Sequence, residues 1–213
     1  MDGVIIDSEP LWKEAQKAVF TSIGVKYDDE LAENTVGIGS HDTIDFWFRQ
    51  QPWEGISYKE IEAQIFARML VLIETKGKIN PGIPEFIQFF RNKGLKIGLA
   101  SGSPLILIHK VLDHLKLKDN FDLFYSADEE EHGKPHPAVF LSAARKLGVE
   151  PLSCIVVEDS FNGLLAAKSA RMKAIAYLPN GGFQNTRFDF ADLKLASFND
   201  FKESDFIYLQ NLK

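Results

Sequence analysis

The amino-acid sequence predicts an α/β protein: a doubly wound parallel sheet with helices on both faces and a helical domain inserted near its start. Three observations predict it. From Leu11 to Lys78 the apolar residues follow a helical pattern throughout. After the break "NPGIP" (Asn80 to Pro84), short apolar runs alternate with helical stretches, which implies parallel strands joined by crossover helices. The turns that follow those apolar runs hold hydroxyls, a lysine and paired acids, and open parallel sheets bind ligands outside the carboxyl ends of their strands.

In the helical part, Leu11, Ala15, Ala18 and Val19 fall on one face of a first helix. Ile61, Ile65, Ala67, Met69 and Leu72 do the same for another. Between them, "TVGIGSHDTIDFWF" reads as a glycine-containing loop leading into a third helix, with His41-Asp42-Thr43 expected to cap it. No strand pattern competes there. The expected division is a core of residues 1–10 and 80–213 and a helical cap of 11–79.

In the core, "LKIGLAS" (Leu95 to Ser101) reads as a buried strand followed by the helix "PLILIHKVLDHL". "FDLFYSA" is a second strand, and "PAVFLSAARKLG" is a helix ended by Gly148. "CIVVEDS", with its helix "FNGLLAAKSAR", is the third, "KAIAYLP" the fourth, and "KLASF" a candidate fifth. The single cysteine, Cys154, lies in an apolar stretch and reads as a buried strand residue.

The strand ends supply the chemistry. Ser101, Gly102 and Ser103 stand at a helix entry, where a hydroxyl and free N–H groups suit an anion but also serve as ordinary caps. In "GKPHP", prolines stiffen the segment that presents Lys134, and His136 reads as a structural loop residue. Glu158 and Asp159 follow four apolar residues. Two adjacent carboxylates there need a counter-ion, and Mg²⁺, which prefers hard oxygen ligands, would serve; the plainer reading is a cap by Asp159 or Ser160. At the start, Asp2-Gly3 forms an acid turn of the kind that normally ends a strand.

Asp2-Gly3, Ser101 to Ser103, Lys134 and Glu158-Asp159, in this order, resemble the four motifs of the haloacid dehalogenase (HAD) superfamily over nearly the whole chain. The helical insertion resembles that superfamily's cap, and the match lies in its β-phosphoglucomutase-like branch. "DSEPLW", "QPW", "SPL", "KPHP", "KLGV" and "ARM" bring it near that branch's phosphatases of hexitol phosphates and 2-deoxyglucose 6-phosphate.

The resemblance implies a HAD-like Rossmannoid core and a Mg²⁺-dependent phosphatase acting on small sugar phosphates or hexitol phosphates through an aspartyl-phosphate. The family's first motif is Asp-x-Asp-Gly at the end of a central first strand, nucleophile first and acid/base second. Met1 takes the middle place, so Asp2 is the acid/base. The nucleophile and its strand are then expected ahead of residue 1, so the chain as given is expected to be inactive. A start upstream is expected over a loss of the nucleophile, because the other motif residues stand in place. Lys134 would join Asp2 in catalysis. Ser101, Gly102 and Lys134 would bind phosphate, and the Asp2 carbonyl, Glu158 and Asp159 would hold the metal. In the cap, Trp12, Ser40, His41 and Lys76 are the candidates for choosing the substrate, with Trp12 equally open to a packing role. The stretch "GIGSHD" lacks the arginine with which mutases of the branch grip a second phosphate, which favours a phosphatase. A phosphohexomutase and a sugar-phosphate binding module without a nucleophile stay open as alternatives.

Composition excludes some partners. A net charge of −6 with no basic tract speaks against nucleic acid and anionic membranes. No run approaches the roughly eighteen apolar residues of a membrane span, and no signal peptide is visible. One cysteine allows no internal disulfide, so a cytoplasmic protein is expected, as is a monomer.

Overall fold

A computed structural model describes residues 1–179 and 181–212. The segment that reads as helical contains α1 (Glu9–Ser22), the single turn α2 (Asp29–Ala32), α3 (Ser40–Gln50) and α4 (Tyr58–Lys76). Ser57 starts α4 with a reciprocal capping box to Glu60. Gly39, rather than His41 to Thr43, is the N-cap of α3, so those three residues form its first turn. One continuous cluster holds these helices together. Phe20, Trp47, Ile61, Ile65 and Met69 are all buried in it, and Leu107 and Val111 join it from the core.

The rest is wound as α5 (Ile83–Asn92), β1 (Gly98–Ser101), α6 (Leu105–His114), β2 (Leu123–Ser126), α7 (Ala138–Leu147), β3 (Ile155–Glu158), α8 (Phe161–Ser169), β4 (Lys173–Tyr177), β5 (Leu193–Leu195) and α9 (Glu203–Asn211). Gly148 ends α7 in the left-handed region, as its sequence position suggests. The helices α5 and α9 lack the strand–helix alternation that marks the others, and sequence reading leaves them unassigned. Cys154 lies one residue ahead of β3 and is half-buried, a correction to its reading as a buried strand residue.

All ladders are parallel, but they form two pieces: β1 with β2, and β3–β4–β5. Alternate residues of β4 serve the two faces. Ile175 and Tyr177 pack toward α5, α6 and α9, while Ala174 and Ala176 pack toward α7 and α8. No ladder joins β1 to β3 among the described residues. Between them lies a slot of about 290 Å³, lined by Leu99 and Ala100 on one lip and Ile155 to Val157 on the other. Val4 and Phe86 close one face of it, and Phe140 and Ala143 the other. Among the described residues no helix is long and apolar enough to cross a membrane.

Candidate functional site

Both lips of the slot end, at their carboxyl termini, in the residues that the sequence singles out. The turn after β1 is rigid: the Ser103 amide donates to Ser101 Oγ (3.1 Å), and Ser126 Oγ donates to the Ser103 carbonyl (2.8 Å). Ser101 is buried and Gly102 forms the exposed tip. Residues 1–6 cross the top of the slot as an irregular turn, with the amide of Ile5 donating to the Met1 carbonyl and Asn80 donating to the carbonyls of Gly3 and Val4.

That turn places the Asp2 carboxylate among three donors. Ser8 Oγ (2.7 Å) and Trp12 Nε1 (3.0 Å) reach Oδ1, and Ser103 Oγ (2.7 Å) reaches Oδ2. Burial by itself would raise the Asp2 pKa. The positive charge at the Met1 amino terminus and these hydrogen bonds outweigh it and hold the carboxyl below its ordinary value. Trp12 therefore has two roles: its ring packs edge-on against Phe66 in the cap (6.1 Å), and its N–H touches the core's acid.

On the other lip, Lys134 forms a buried ion pair with Glu158 and lies over the Phe140 ring at 4.8 Å. Burial, the largest single effect, pushes the Glu158 pKa up, but the Lys134 charge, the Met1 amino terminus and the hydrogen bonds from Lys134 and Ser160 together outweigh it and hold it down. Ser160 caps α8 through the Gly163 amide and donates to the second Glu158 oxygen (3.2 Å). Gly163 has no room for a side chain, because a β-carbon there would strike the Glu158 carboxylate. Asp159 lies against Gly3, where a β-carbon would again collide with it, and Gly3 needs its positive φ of 65° for the turn. Burial, then the neighbouring Glu158 charge, push Asp159 up to about 7. No side chain among the described residues pairs with it.

Asp159 is a half-buried carboxylate beside a backbone turn and has no side-chain partner among the described residues, whereas both Glu158 oxygens are already taken by Lys134 and Ser160. Among the described residues no three His, Cys, Asp or Glu side chains gather as a metal site. The chain's own offer is thus a carboxylate and a carbonyl, with Glu158 reachable through water, an arrangement that suits an ion keeping several waters.

The helical segment reaches this group at two points, Trp12 and Gly37, whose α-carbon faces the Ser160 side chain. Ser40 opens α3, and His41 packs near Tyr58 at 5.7 Å. Lys76 is engaged by Glu14 in an exposed ion pair between α4 and α1. Sequence reading missed Ser8 and placed Ser103 only in the anion-binding or capping turn after the first strand, not against Asp2. Ser8 stands at the N-cap position of α1, where a serine passes as a cap. It makes no capping bond, and its hydroxyl serves Asp2 instead.

A model of the haloacid dehalogenase-like hydrolases matches residues 1–171. The chain belongs to that family. It is 41% identical over 209 residues to hexitol phosphatase B of Escherichia coli K12, covering 97% of this chain and 94% of that protein. It is 30% identical to β-phosphoglucomutase of Bacillus subtilis, over 82% of this chain and 79% of that one. Among solved structures, a β-phosphoglucomutase from Clostridium difficile superposes with a TM-score of 0.84 at 28% identity, covering 99% of this chain and 94% of that one. Family and relatives together make the chain a phosphoric monoester hydrolase.

Proposed function

We propose that the site hydrolyses small phosphorylated sugars or hexitols, of the 2-deoxyglucose 6-phosphate type, with Mg²⁺ and through an aspartyl-phosphate, in the cytoplasm. The observation that carries this reading is the convergence of Asp2 with its three donors, Lys134–Glu158 and the unpartnered Asp159 at the carboxyl ends of β1 and β3. The likeness to hexitol phosphatase B supports the substrate class.

Ser101 and the Gly102 amide hold phosphate oxygens at the mouth of β1. Lys134, fixed by Glu158, neutralises charge on the phosphoryl group as it transfers. Asp159, the Asp2 carbonyl and, through water, Glu158 would hold Mg²⁺, whose charge would balance that of the phosphoryl group. Asp2 serves twice, first protonating the leaving sugar oxygen and then activating the water that releases phosphate. Held anionic by Ser8, Trp12 and Ser103, it is set for the second task. For the first it must take up a proton, so at least one of these donors turns away as the leaving oxygen arrives. The attacking carboxylate comes from a strand lying between β1 and β3. Asp2 does not replace it, because an acid that serves the leaving oxygen stands opposite the line of attack. Trp12, the loop carrying Ser40 and His41, and Lys76 select the sugar.

A panel of sugar phosphates, hexitol phosphates, nucleotides and phosphoproteins, offered with and without EDTA to a form extended upstream by a strand ending in aspartate, tests the reading. Turnover confined to sugar and hexitol phosphates and lost with EDTA is the expected result; preference for nucleotides, or turnover that survives EDTA, opposes it. The slot also favours a second reading, a sugar-phosphate binding module, which predicts saturable binding and no turnover by the extended form.

A further inference from the structure

We infer that His132 and His136 form a second metal site, for an imidazole-seeking transition ion such as Zn²⁺, Ni²⁺ or Cu²⁺, on the outer side of the turn that presents Lys134. Three observations carry this. First, the two rings stand 5.2 Å apart, centre to centre, with their planes at 63°. Two imidazoles that share a tetrahedral ion, each with a nitrogen about 2.0–2.1 Å from it, put their ring centres about 5 Å apart, so the pair already has the spacing that coordination needs. Second, the backbone holds that spacing. The His136 amide donates to the Gly133 carbonyl (3.0 Å), and Pro135 and Pro137 stiffen the chain on either side of His136. Little freedom then remains to be lost when an ion binds. Third, the turn has two faces. Lys134 is drawn inward onto Glu158, whereas His132 and His136 are exposed. The run Asp128 to Glu131 puts four acids just ahead of the pair, which draws cations to it. Of these, Glu129 pairs with Lys146 and Glu130 accepts from Tyr125, while Glu131 Oε1 stands 4.0 Å from His132 Nε2, near enough to hold a coordinated water. As it stands the pair offers two protein ligands, and waters complete the set. Imidazole suits zinc-like ions and not Mg²⁺, which takes oxygen ligands, so this site differs in chemistry from the one beside Asp159.

Coordination reaches further than the two rings. The Ala138 amide donates to His136 Nδ1 at 3.3 Å, which requires that nitrogen to be unprotonated. A metal on Nδ1 displaces this bond directly, and a metal on Nε2 moves the ring proton to Nδ1 and abolishes it equally. The ion thus exchanges one long hydrogen bond at the start of α7 for a coordination bond. It also clamps both ends of the five-residue segment whose middle member is Lys134. The site rests on the geometry of the turn alone; its effect on turnover rests on the phosphatase reading. There, a clamped turn leaves Lys134 less able to follow the phosphoryl group, so the ion inhibits without competing with Mg²⁺.

The test titrates Met1–Lys213 with Zn²⁺ by calorimetry and with Cu²⁺ by electron paramagnetic resonance. One ion per chain is expected, with two imidazole nitrogens in the Cu²⁺ spectrum and no competition from millimolar Mg²⁺. His132→Ala and His136→Ala should each weaken Zn²⁺ binding about tenfold or more. Zn²⁺ should also move the amide resonance of Ala138. The double variant should keep the metal-free Tm, because both rings are exposed, and lose the site. The inference is overturned if wild type and double variant bind Zn²⁺ alike, if Cu²⁺ shows a single imidazole nitrogen, or if the Ala138 resonance stays in place while the ion binds. Turnover is followed with saturating Mg²⁺ in the form and panel described above. Zn²⁺ inhibition that disappears with the double substitution upholds both the site and its reach to Lys134. Inhibition that survives it is displacement of Mg²⁺ and overturns the reach alone. A complete lack of turnover counts against the phosphatase reading and leaves the binding result standing.

Discussion

The helical segment α1 to α4 and the part built around the parallel strands face the same burial problem and end differently. In the cap, Phe20, Trp47 and Ile61 are all 0% exposed, and the cluster around them is closed. In the core, β3 carries three β-branched residues of the kind that parallel sheets bury on both faces, yet Ile155, Val156 and Val157 stay half-exposed along the slot. The difference teaches where the chemistry is vulnerable. The candidate site is not spread over one continuous sheet. Ser101 hangs on one lip of the slot, Glu158 and Asp159 on the other, and the Asp2 turn bridges the top. The width of the slot therefore sets the geometry of the site.

The largest effect follows from closing that slot covalently. Extending the chain upstream of Met1 with an apolar strand ending in aspartate should raise sugar-phosphate turnover by about three to four orders of magnitude over Met1–Lys213, the scale on which a member of a covalent catalytic set acts. The same extension ending in asparagine should stabilise the fold equally and restore no turnover. Steady-state kinetics alongside thermal unfolding separates the two. Equal turnover by the aspartate and asparagine forms would remove the slot from the chemistry.

The next effect compares the regions directly. Trp47→Ala in the closed cap cluster should cost about 3–5 kcal/mol, as large truncations in packed cores do. Val157→Ala on the lip should cost less than about 1 kcal/mol, because the side chain already borders empty space. In the strand-extended form the Val157→Ala cost should rise toward ordinary core values. Urea unfolding of the four proteins checks this, and an equal cost of Val157→Ala with and without the strand would break the contrast.

Much of this was legible in the sequence, and for identifiable reasons. Helical spacing and strand–helix alternation are local signals, so α1, α3, α4, β1 to β4 and α6 to α8 can be read directly, while the candidate fifth strand "KLASF" overlaps β5 only at Lys194 and Leu195 and α2 goes unread. Ser101 and Glu158-Asp159 stand out because each follows an apolar run at a turn, and Lys134 because prolines stiffen its loop. What sequence does not show is pairing at a distance. Nothing in "DSEPLW" says that Ser8 abandons its cap and that Trp12 reaches a carboxylate ten residues back. Nor does "VEDS" tell that Glu158 is held by Lys134 while Asp159 has no side-chain partner among the described residues. The split of the sheet into two pieces is likewise a matter of which edges meet.

Lys134→Met tests one lip alone. It leaves the Glu158 carboxylate buried without its cation, which should cost about 3–5 kcal/mol at neutral pH, and Glu158→Gln in the same chain should recover most of that. The sign with pH is fixed. Against the upward push of burial, Lys134, with the Met1 amino terminus and Ser160, holds the Glu158 pKa down in the fold, so the pair's contribution is fully present above the ordinary value of 4.5 and is lost as pH falls through the lowered value. The stability gap between wild type and Lys134→Met should accordingly be wide at pH 7 and close in acid. A gap independent of pH would mean that Lys134 serves only by packing on Phe140.

The smallest effect tests the bridge between the two regions. Trp12→Phe keeps the ring and its edge-on contact with Phe66 but removes one of the three donors to Asp2, a bond worth about 1 kcal/mol. The bond joins the first turn of α1, in the closed region, to the turn that spans the open one. With it gone, burial weighs more heavily and the Asp2 pKa should rise. Because that pKa is lowered in the native fold, the bond's contribution is present above the ordinary carboxyl value of 3.8 and is lost as pH falls through the lowered one. The variant should be less stable than wild type at pH 7 by about 1 kcal/mol, and the two should converge in acid. Ser8→Ala, which removes a donor to the same oxygen without touching the cap cluster, should behave alike. Urea unfolding across pH distinguishes the roles. If Trp12→Phe loses stability equally at every pH while Ser8→Ala shows the acid convergence, Trp12 acts as cap packing only, and the closed region does not steady the acid of the open one.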